Sequence, residues 1–399
     1  MRIVVHDYAG HPFQIDLSRE LARRGHLVTH MFAGELLTPR GNLARRVDDP
    51  EGLQFREIPM NPNYRRHKYS FLRRRNYEAR YGKDLIEHVK TSRPDVVLSG
   101  NTPSEPQRDL QRFCFQNNIR FINWIQDIYS IAVDKLARKK LPLIGHLIGA
   151  YYRVIDQRCA RDSDHVVVIS EDFTPILKSW GVDGQRITSI QNWAAIQSLP
   201  QLPPDNAWAK EQDLADKFVF LYSGTLAMKH NPDLLLQLAI KFRDHSDVAV
   251  VVVSEGPGAD WLSERKSAHQ LNNLTLLPFQ PFDRFPEVIA ASDVLMAVLE
   301  ADAGVFSVPS KVLSYLCAGR PLVAAMPDDN LAAKMIRSIP AGVVCPPGDV
   351  TGFVDHAIRL HAESGSRSEL GNSAREFAEN QFDIQRITNR FEHILKAKR

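Results

Sequence analysis

Cysteine is scarce in this chain: four in 399 residues, at positions 114, 159, 317 and 345, with no C-x-x-C pair. That spacing argues against a zinc site or a disulfide framework and makes a reducing compartment the default. Long apolar runs are missing too, since no stretch reaches the roughly 18 apolar residues that a membrane-spanning helix needs. A signal peptide is not expected, because residues 2–6 already read as a strand. Charge of one sign is not in excess: 50 Lys and Arg against 47 Asp and Glu leave a formal +3, too little by itself to imply nucleic acid. Three catalytic signatures are absent. No G-x-G-x-x-G follows the first strand, no Walker loop is present, and no G-x-S-x-G marks a nucleophile elbow. What is left, 44% apolar and 24% charged, reads as a soluble globular chain expected in the cytoplasm.

The length suits two domains, and the chain shows two similar halves. Residues 3–5 make a short apolar strand that Gly10 and Pro12 break. Phe13, Leu17 and Leu21 then recur at helical spacing until Gly25, and the next strand runs over 27–32. This is the βαβ pattern of a parallel sheet. Strands at 53–58, 95–98, 120–125, 165–169 and 186–190 continue it. Residues 201–206 interrupt the pattern like a linker, after which strands at 218–222, 248–253, 274–277, 294–298, 322–325 and 343–345 repeat it. The expected fold is α/β, two Rossmann-like doubly wound parallel-sheet domains, 1–200 and 201–380. A C-terminal helix in 381–399 follows, for which a return to the first domain is one outcome. Ligands of such sheets bind beyond the carboxyl ends of the strands, so a ligand is expected in a cleft between the halves.

Three turns of the second half sit where strands end. The first is Ser223-Gly224-Thr225-Leu226-Ala227-Met228-Lys229, where Gly224 lets backbone approach a ligand and Lys229 can reach a phosphate. The second is Ser254-Glu255-Gly256-Pro257-Gly258, whose carboxylate can accept a hydrogen bond from a sugar hydroxyl. The third is Ser307-Val308-Pro309-Ser310-Lys311, leading into a helix that Gly319 and Pro321 end. A loop entering a helix N-terminus with a serine and a lysine is an anion site, and phosphate is the commonest anion. An ordinary capped helix fits the same spacing. Each turn alone is ordinary, and their shared sheet edge is the signal.

The order of elements resembles the GT-B glycosyltransferases of the large retaining family 4, in particular a bacterial branch that builds exopolysaccharide and O-antigen, the colanic-acid and fucosamine transferases. The resemblance rests on Trp124-Ile125-Gln126-Asp127-Ile128-Tyr129, similar to a W-x-Q-D-x-[WY] segment, and on Gln191-Asn192-Trp193-Ala194, similar to P-N-W-A. The stretch from Val308-Pro309-Ser310-Lys311 to Tyr315-Leu316-Cys317-Ala318-Gly319-Arg320-Pro321 resembles the family's P-S-K-x-x-x-Y-x-A-A-G-[RK]-P motif.

The resemblance implies that the first domain faces the acceptor and the second binds a nucleotide sugar, by expectation a UDP-sugar. It implies that Gly224, Thr225 and Lys229, with Ser307, Val308, Ser310 and Lys311, neutralise the donor's diphosphate. Glu255 and Gly256 would lie near the nucleotide, Phe279 would line the base pocket, Gly10 would sit in the loop closing over diphosphate and sugar, and Asp127 would be the polar residue nearest the sugar. The family's E-x7-E glutamates are replaced by Phe306 and Ser314, and its first-half H-D pair by Gln126-Asp127. Leaving-group charge on a nucleoside diphosphate is what fixed amides and Lys229 would stabilise, so a metal-independent hexosyl- or N-acetylhexosaminyl-transfer without cofactor is expected. Two other readings remain: a sugar-nucleotide epimerase of the same fold, and a catalytically silent nucleotide-binding partner in polysaccharide assembly.

Residues 64–83 interleave cations and aromatics with one acid, Glu78. They read either as a solvated helix face or, together with 135–152, as a surface meeting anionic lipid headgroups. A lipid-linked acceptor would explain the second reading and place the protein on the inner face of the cell membrane; no nucleic-acid motif supports a nucleic-acid partner. Lone histidines such as His11, His165 and His230 read as structural or solvated, with His11 and His230 flanking the expected donor loops.

Overall fold

Parallel strands need a crossover after each strand, and nearly every apolar run here is followed by an amphipathic helix. In the computed structural model, which describes residues 1–35, 41–67, 70–299, 301 and 310–397, the chain forms two units. The first is Met1–Asn192 with Ile384–Arg399, the second Trp193–Asp383.

The first unit carries β1 (Arg2–Asp7), β2 (Leu27–Ala33), β3 (Leu53–Ile58), β4 (Val96–Gly100), β5 (Arg120–Ile125), β6 (His165–Val168) and β7 (Ile187–Ser189). They pair in the order β3-β2-β1-β4-β5-β6-β7, every neighbour parallel. The second carries β8 (Phe218–Ser223), β9 (Val248–Val253), β10 (Leu274–Leu277), β11 (Val294–Val298), β12 (Leu322–Ala325) and β13 (Gly342–Cys345). Their order is β10-β9-β8-β11-β12-β13, again all parallel. In each sheet the winding reverses once, at β1/β4 and at β8/β11, so each unit opens a crevice there at the carboxyl ends of the strands. The strand β9, Val-Ala-Val-Val-Val-Val, is buried along its whole length, as a strand covered on both faces must be.

A buried polar triad joins β1 to its neighbours. His6 Nδ1 lies 2.8 Å from Ser99 Oγ on β4, and His6 Nε2 lies 2.6 Å from the Tyr81 hydroxyl. Burial lowers His6 to about 3, so the ring stays neutral and hydrogen-bonds through both nitrogens.

The last helix, Ile384–Lys396, belongs to the first unit and packs on the helix Pro12–Arg23. Arg24 donates to Asn389 at 2.6 Å and to Glu392 at 2.8 Å, and His26 Nε2 lies 2.7 Å from the same carboxylate. Beneath these pairs the fully buried Phe391 ring stands 4.7 Å from that of Trp124 at the end of β5. Replacing Phe391 by alanine empties that contact, and large-to-small aromatic substitutions in cores cost roughly 3–5 kcal/mol. Urea denaturation of Phe391→Ala should read a loss of that size, and a loss under about 1 kcal/mol would show that the helix is not part of this core.

Candidate functional site

In the second unit the site grows from the end of β8. Gly224 takes a φ of +136°, a conformation open to glycine, and its N–H donates to the Val253 carbonyl at 3.0 Å. A Cβ on Gly224 would stand 2.9 Å from Lys311 Nζ. Lys311 donates to the Tyr222 hydroxyl at 2.6 Å and lies 3.9 Å from the centre of its ring. The Tyr222 hydroxyl passes its own proton to the Thr225 carbonyl at 2.8 Å. Tyr315, one turn along the helix Ser310–Ala318, accepts from the Ser223 N–H at 2.8 Å and donates to the Ser223 carbonyl at 3.0 Å. One side chain therefore does for Ser223 what a neighbouring strand would do, and ties the helix to the strand end.

This helix points its positive end at the same edge. Ser310 opens it, exposed, and Ser314 lies one turn on, half-buried. Burial pushes the Lys311 ammonium down to about 7, the signature of a cation without a compensating carboxylate. The next strand end adds Gly256, with φ +110°, as the N-cap of the helix Pro257–His269, and the exposed Glu255, whose carboxylate accepts from the Phe279 N–H at 3.4 Å. Phe279 presents an exposed ring. Gly224, Thr225, Glu255, Gly256, Phe279, Ser310, Lys311 and Ser314 thus share one sheet edge. The backbone of Lys229 lies in the short turn Met228–His230; its side chain, with Ser307 and Val308, lies outside the described residues.

In the first unit the corresponding edge is built on Asp7, the last residue of β1. Its buried carboxylate accepts from the backbone N–H groups of Ala9, at 3.1 Å, and His11, and from Asn101 Nδ2 at 3.4 Å. His11 Nδ1 lies 3.2 Å from it. Gly10 makes the turn with φ +78°. Burial alone would raise Asp7, but the charge and hydrogen bonds of His11 prevail and hold it at about 2. Burial would lower His11, yet Asp7 first and Asp127 after it raise this imidazole. Asp127 follows β5, open to solvent on one side and crowded by protein on the others; burial pushes its carboxyl up to about 6, against the pull of His11. Behind it Gln126 is buried, its Oε1 accepting from Asn192 Nδ2 at 2.6 Å.

His11, which the sequence reads as structural or solvated, is tied to the buried Asp7 carboxylate. His165 and His230 make local bonds, to Thr188 Oγ1 at 2.9 Å and from the Ala227 N–H at 3.1 Å. Asp7, Asn101 and Tyr222 were not singled out. Their signal was positional: Asp7 ends β1, Asn101 follows β4 and Tyr222 is the last residue but one of β8, all strands flanking a winding reversal.

Two doubly wound parallel sheets, each with a polar carboxyl edge at its winding reversal, define the class as GT-B. Residues 14–197 match the family described as Glycosyltransferase Family 4, and residues 205–377 that described as Glycosyl transferases group 1; both halves of the chain are thus glycosyltransferase domains, in a GT-B fold. It is 23% identical over 262 residues to the protein described as "Probable glycosyltransferase WbjE" of Pseudomonas aeruginosa, covering 65% of this chain and 64% of that one. It is 25% identical over 182 residues to the N-acetyl-alpha-D-glucosaminyl L-malate synthase of Bacillus anthracis, covering 45% of each. The chain thus spans less than two thirds of the length of these curated relatives. Among solved structures, Anabaena HepE in complex with UDP-glucose shares the fold with a TM-score of 0.70, at 15% identity and 98% coverage of both chains.

An anion at Gly224 would restore the Lys311 ammonium toward its ordinary range, so binding there should take up a proton above pH 7. Titration calorimetry with inorganic pyrophosphate should show affinity falling as pH rises from 7 to 9, by up to about tenfold per unit. The Lys311→Met variant should bind more weakly and lose this pH dependence. An unchanged profile in the variant would remove Lys311 from the site.

Proposed function

We propose that the protein is a retaining glycosyltransferase that moves a hexosyl or N-acetylhexosaminyl group from a UDP-sugar to a lipid-linked or saccharide acceptor in surface polysaccharide biosynthesis. The observation that carries this reading is Lys311, a crowded cation facing the open backbone of Gly224, with no carboxylate partner among the described residues. Such a site is completed by a diphosphate. The UDP-glucose held by the structurally similar HepE supports a UDP-sugar as its source.

The chemistry follows from charge. As the glycosidic bond to the diphosphate breaks, negative charge grows on the leaving phosphate. Lys311 and the positive end of the helix Ser310–Ala318 are proposed to lie around that position beside the backbone of Gly224, with Thr225, Ser307, Val308 and Lys229 proposed to join them. Preorganised donors of this kind stabilise the transition state without reorganisation. Glu255, Gly256, Phe279 and Ser314 are proposed to hold the nucleoside. Gly10 and Asp127 are proposed to face the transferred sugar, Asp127 as its polar partner. The leaving phosphate takes the acceptor's proton on the same face, so retention needs no protein nucleophile. Because protein cations carry the charge, the reaction is proposed to be independent of metal and of any cofactor.

A membrane surface fits the same reading. The helices Tyr129–Lys140 and Gly145–Arg161 form a hairpin, in which Gly149 leaves the space that Asp134 fills. Leu136, Leu141, Leu143, Ile144, Leu147 and Tyr151 are all exposed along it, and Phe71 and Leu72 beside them. Arg138, Lys139 and Lys140 end the first helix. Apolar side chains flanked by cations suit an anionic lipid interface. Part of the basic stretch 64–83 is occupied internally: Arg74 donates to Glu78 at 2.6 Å and Arg75 to Glu105 at 2.8 Å. The hairpin is therefore the larger contributor to a proposed peripheral attachment at the inner face of the cell membrane. Among the described residues no helix is long and apolar enough to cross a membrane.

Incubation with a panel of nucleotide sugars, following nucleotide release and sugar isomerisation separately, tests the reaction. UDP release that survives a chelator is expected. Isomerisation without release would make the protein an epimerase, and binding without turnover a silent partner; either result ends the transferase proposal.

For the surface, vesicles containing anionic lipid should float the protein at low salt, and the double variant Leu143→Glu, Leu147→Glu should stay behind. Equal flotation of both proteins would discard the hairpin as the attachment.

A further inference from the structure

Five side chains of the first unit form a hydrogen-bonded chain that the proposed chemistry does not use. The Tyr8 hydroxyl donates to that of Tyr64 at 3.3 Å, and Tyr64 donates to Glu78 Oε1 at 3.0 Å. Arg74 Nε donates to the same oxygen at 2.6 Å, and its Nη2 donates to the Tyr129 hydroxyl at 2.9 Å. Arg74 and Glu78 stand one turn apart on the helix Phe71–Ser92.

The two ends of this chain lie on two loops of the polar edge. Tyr8 directly follows Asp7 and precedes the turn at Gly10. Tyr129 comes two residues after Asp127 and opens the helix Tyr129–Lys140. In the sheet β4 stands between β1 and β5, so strand pairing does not join the two loops directly. Among the described residues Tyr8 and Tyr129 share neither a hydrogen bond nor a ring contact. The side chains that link them meet at Glu78.

Stability alone is a poor account of this arrangement. Glu78 is 6% exposed, and burial pushes its carboxyl up against the pull of Arg74 and Tyr64. A buried ion pair is often no more stabilising than apolar side chains of the same volume, and a phenylalanine offers the ring surface of Tyr8 or Tyr64 without a hydroxyl to satisfy. What a satisfied buried polar network does supply is a fixed geometry. Here Tyr64 and Arg74 converge on one carboxylate oxygen, so that oxygen sets the position of both arms.

We propose that Glu78 is a positioning residue. Through Tyr64 and Tyr8 it holds the loop of Gly10, and through Arg74 and Tyr129 it holds the segment of Asp127. The two groups proposed to face the transferred sugar thereby keep one mutual geometry. This rests on the transferase reading, so the first test is independent of activity and the two can fail separately.

Hydrogen exchange on the full chain reads the loops directly. Glu78→Gln keeps the shape of the side chain and removes its charge. It should speed exchange of the amides in 8–11 and in 127–131 together by about tenfold, while those of β1 and β5 change by less than about twofold. Arg75→Gln, which cuts the neighbouring pair to Glu105, should loosen neither segment. Unchanged exchange in both segments after Glu78→Gln would overturn the proposal, as would equal loosening by Arg75→Gln.

Turnover then reads the coupling. In Glu78→Gln, kcat per folded enzyme should fall by about tenfold while UDP affinity stays unchanged, a split that a mere loss of folded protein does not produce. Tyr8→Phe and Tyr129→Phe, which remove one hydroxyl each, should each lower kcat by about threefold, and together by little more than the larger single loss, because both cut one connection. Losses that multiply would show the two hydroxyls acting separately and would overturn the coupling through Glu78. Absence of turnover in the unmodified protein would end the transferase reading, and the exchange result would still decide whether Glu78 ties the loops together.

Discussion

A lysine ammonium crowded by protein is unfavourable without a carboxylate, and among the described residues Lys311 has no such partner. Tyr222 takes one of its N–H bonds and puts a ring beneath it. Tyr222 is fixed in turn by the Thr225 carbonyl. Tyr315 clamps both backbone groups of Ser223, so the helix carrying Lys311 cannot move away from the strand carrying Tyr222. At the far end of that helix Arg375 donates to the Cys317 carbonyl at 2.6 Å and to that of Leu199 at 2.9 Å, which satisfies a helix C-terminus that would otherwise be bare. The cation is thereby preorganised. Among the described residues no carboxylate offsets its burial, so an anion from outside would relieve it, which is how a binding site differs from a structural ion pair.

The edge of the first unit obeys the opposite electrostatic rule. There a carboxylate, Asp7, is fully compensated by backbone N–H groups and by His11, and a second one, Asp127, is left partly uncompensated and raised to about 6. One edge lacks an anion and the other has acids to spare.

How much of this was legible in the sequence depends on the kind of signal. The parallel sheets were readable because βαβ periodicity is local: residues 248–253 announce a doubly buried strand without reference to anything else. The Ser310-Lys311 stretch was readable as a helix start because helix-start chemistry is local as well. The role of Tyr222 was not, because its hydroxyl acquires meaning only when Lys311, far along the chain, is brought over it. The partner of His11 was hidden for the same reason: a lone histidine after a strand is ordinary, and the turn at Gly10 is what brings it onto Asp7. In the basic residues 64–83, Arg74 pairs with Glu78 one helical turn on, which the sequence spacing allows, whereas Arg75 pairs with Glu105, which only the fold sets beside it.

The serine at position 314 connects these points. A glutamate there would stand three residues from Lys311 on the same helical face, within the spacing at which opposite charges pair. It would compete for the ammonium and return it toward its ordinary range. With Ser314 that competition is absent, and the cation stays dependent on whatever enters at Gly224. The departure from the E-x7-E pattern therefore leaves the phosphate-holding capacity of this edge intact and removes a carboxylate that could have held a ribose. Glu255, exposed on the neighbouring strand end and steadied by the Phe279 N–H, is a described carboxylate of that edge suited to the hydroxyls of a nucleoside. With both glutamates of this motif replaced, by Phe306 and Ser314, Glu255 is the carboxylate proposed to take the nucleoside-holding role along the sheet edge.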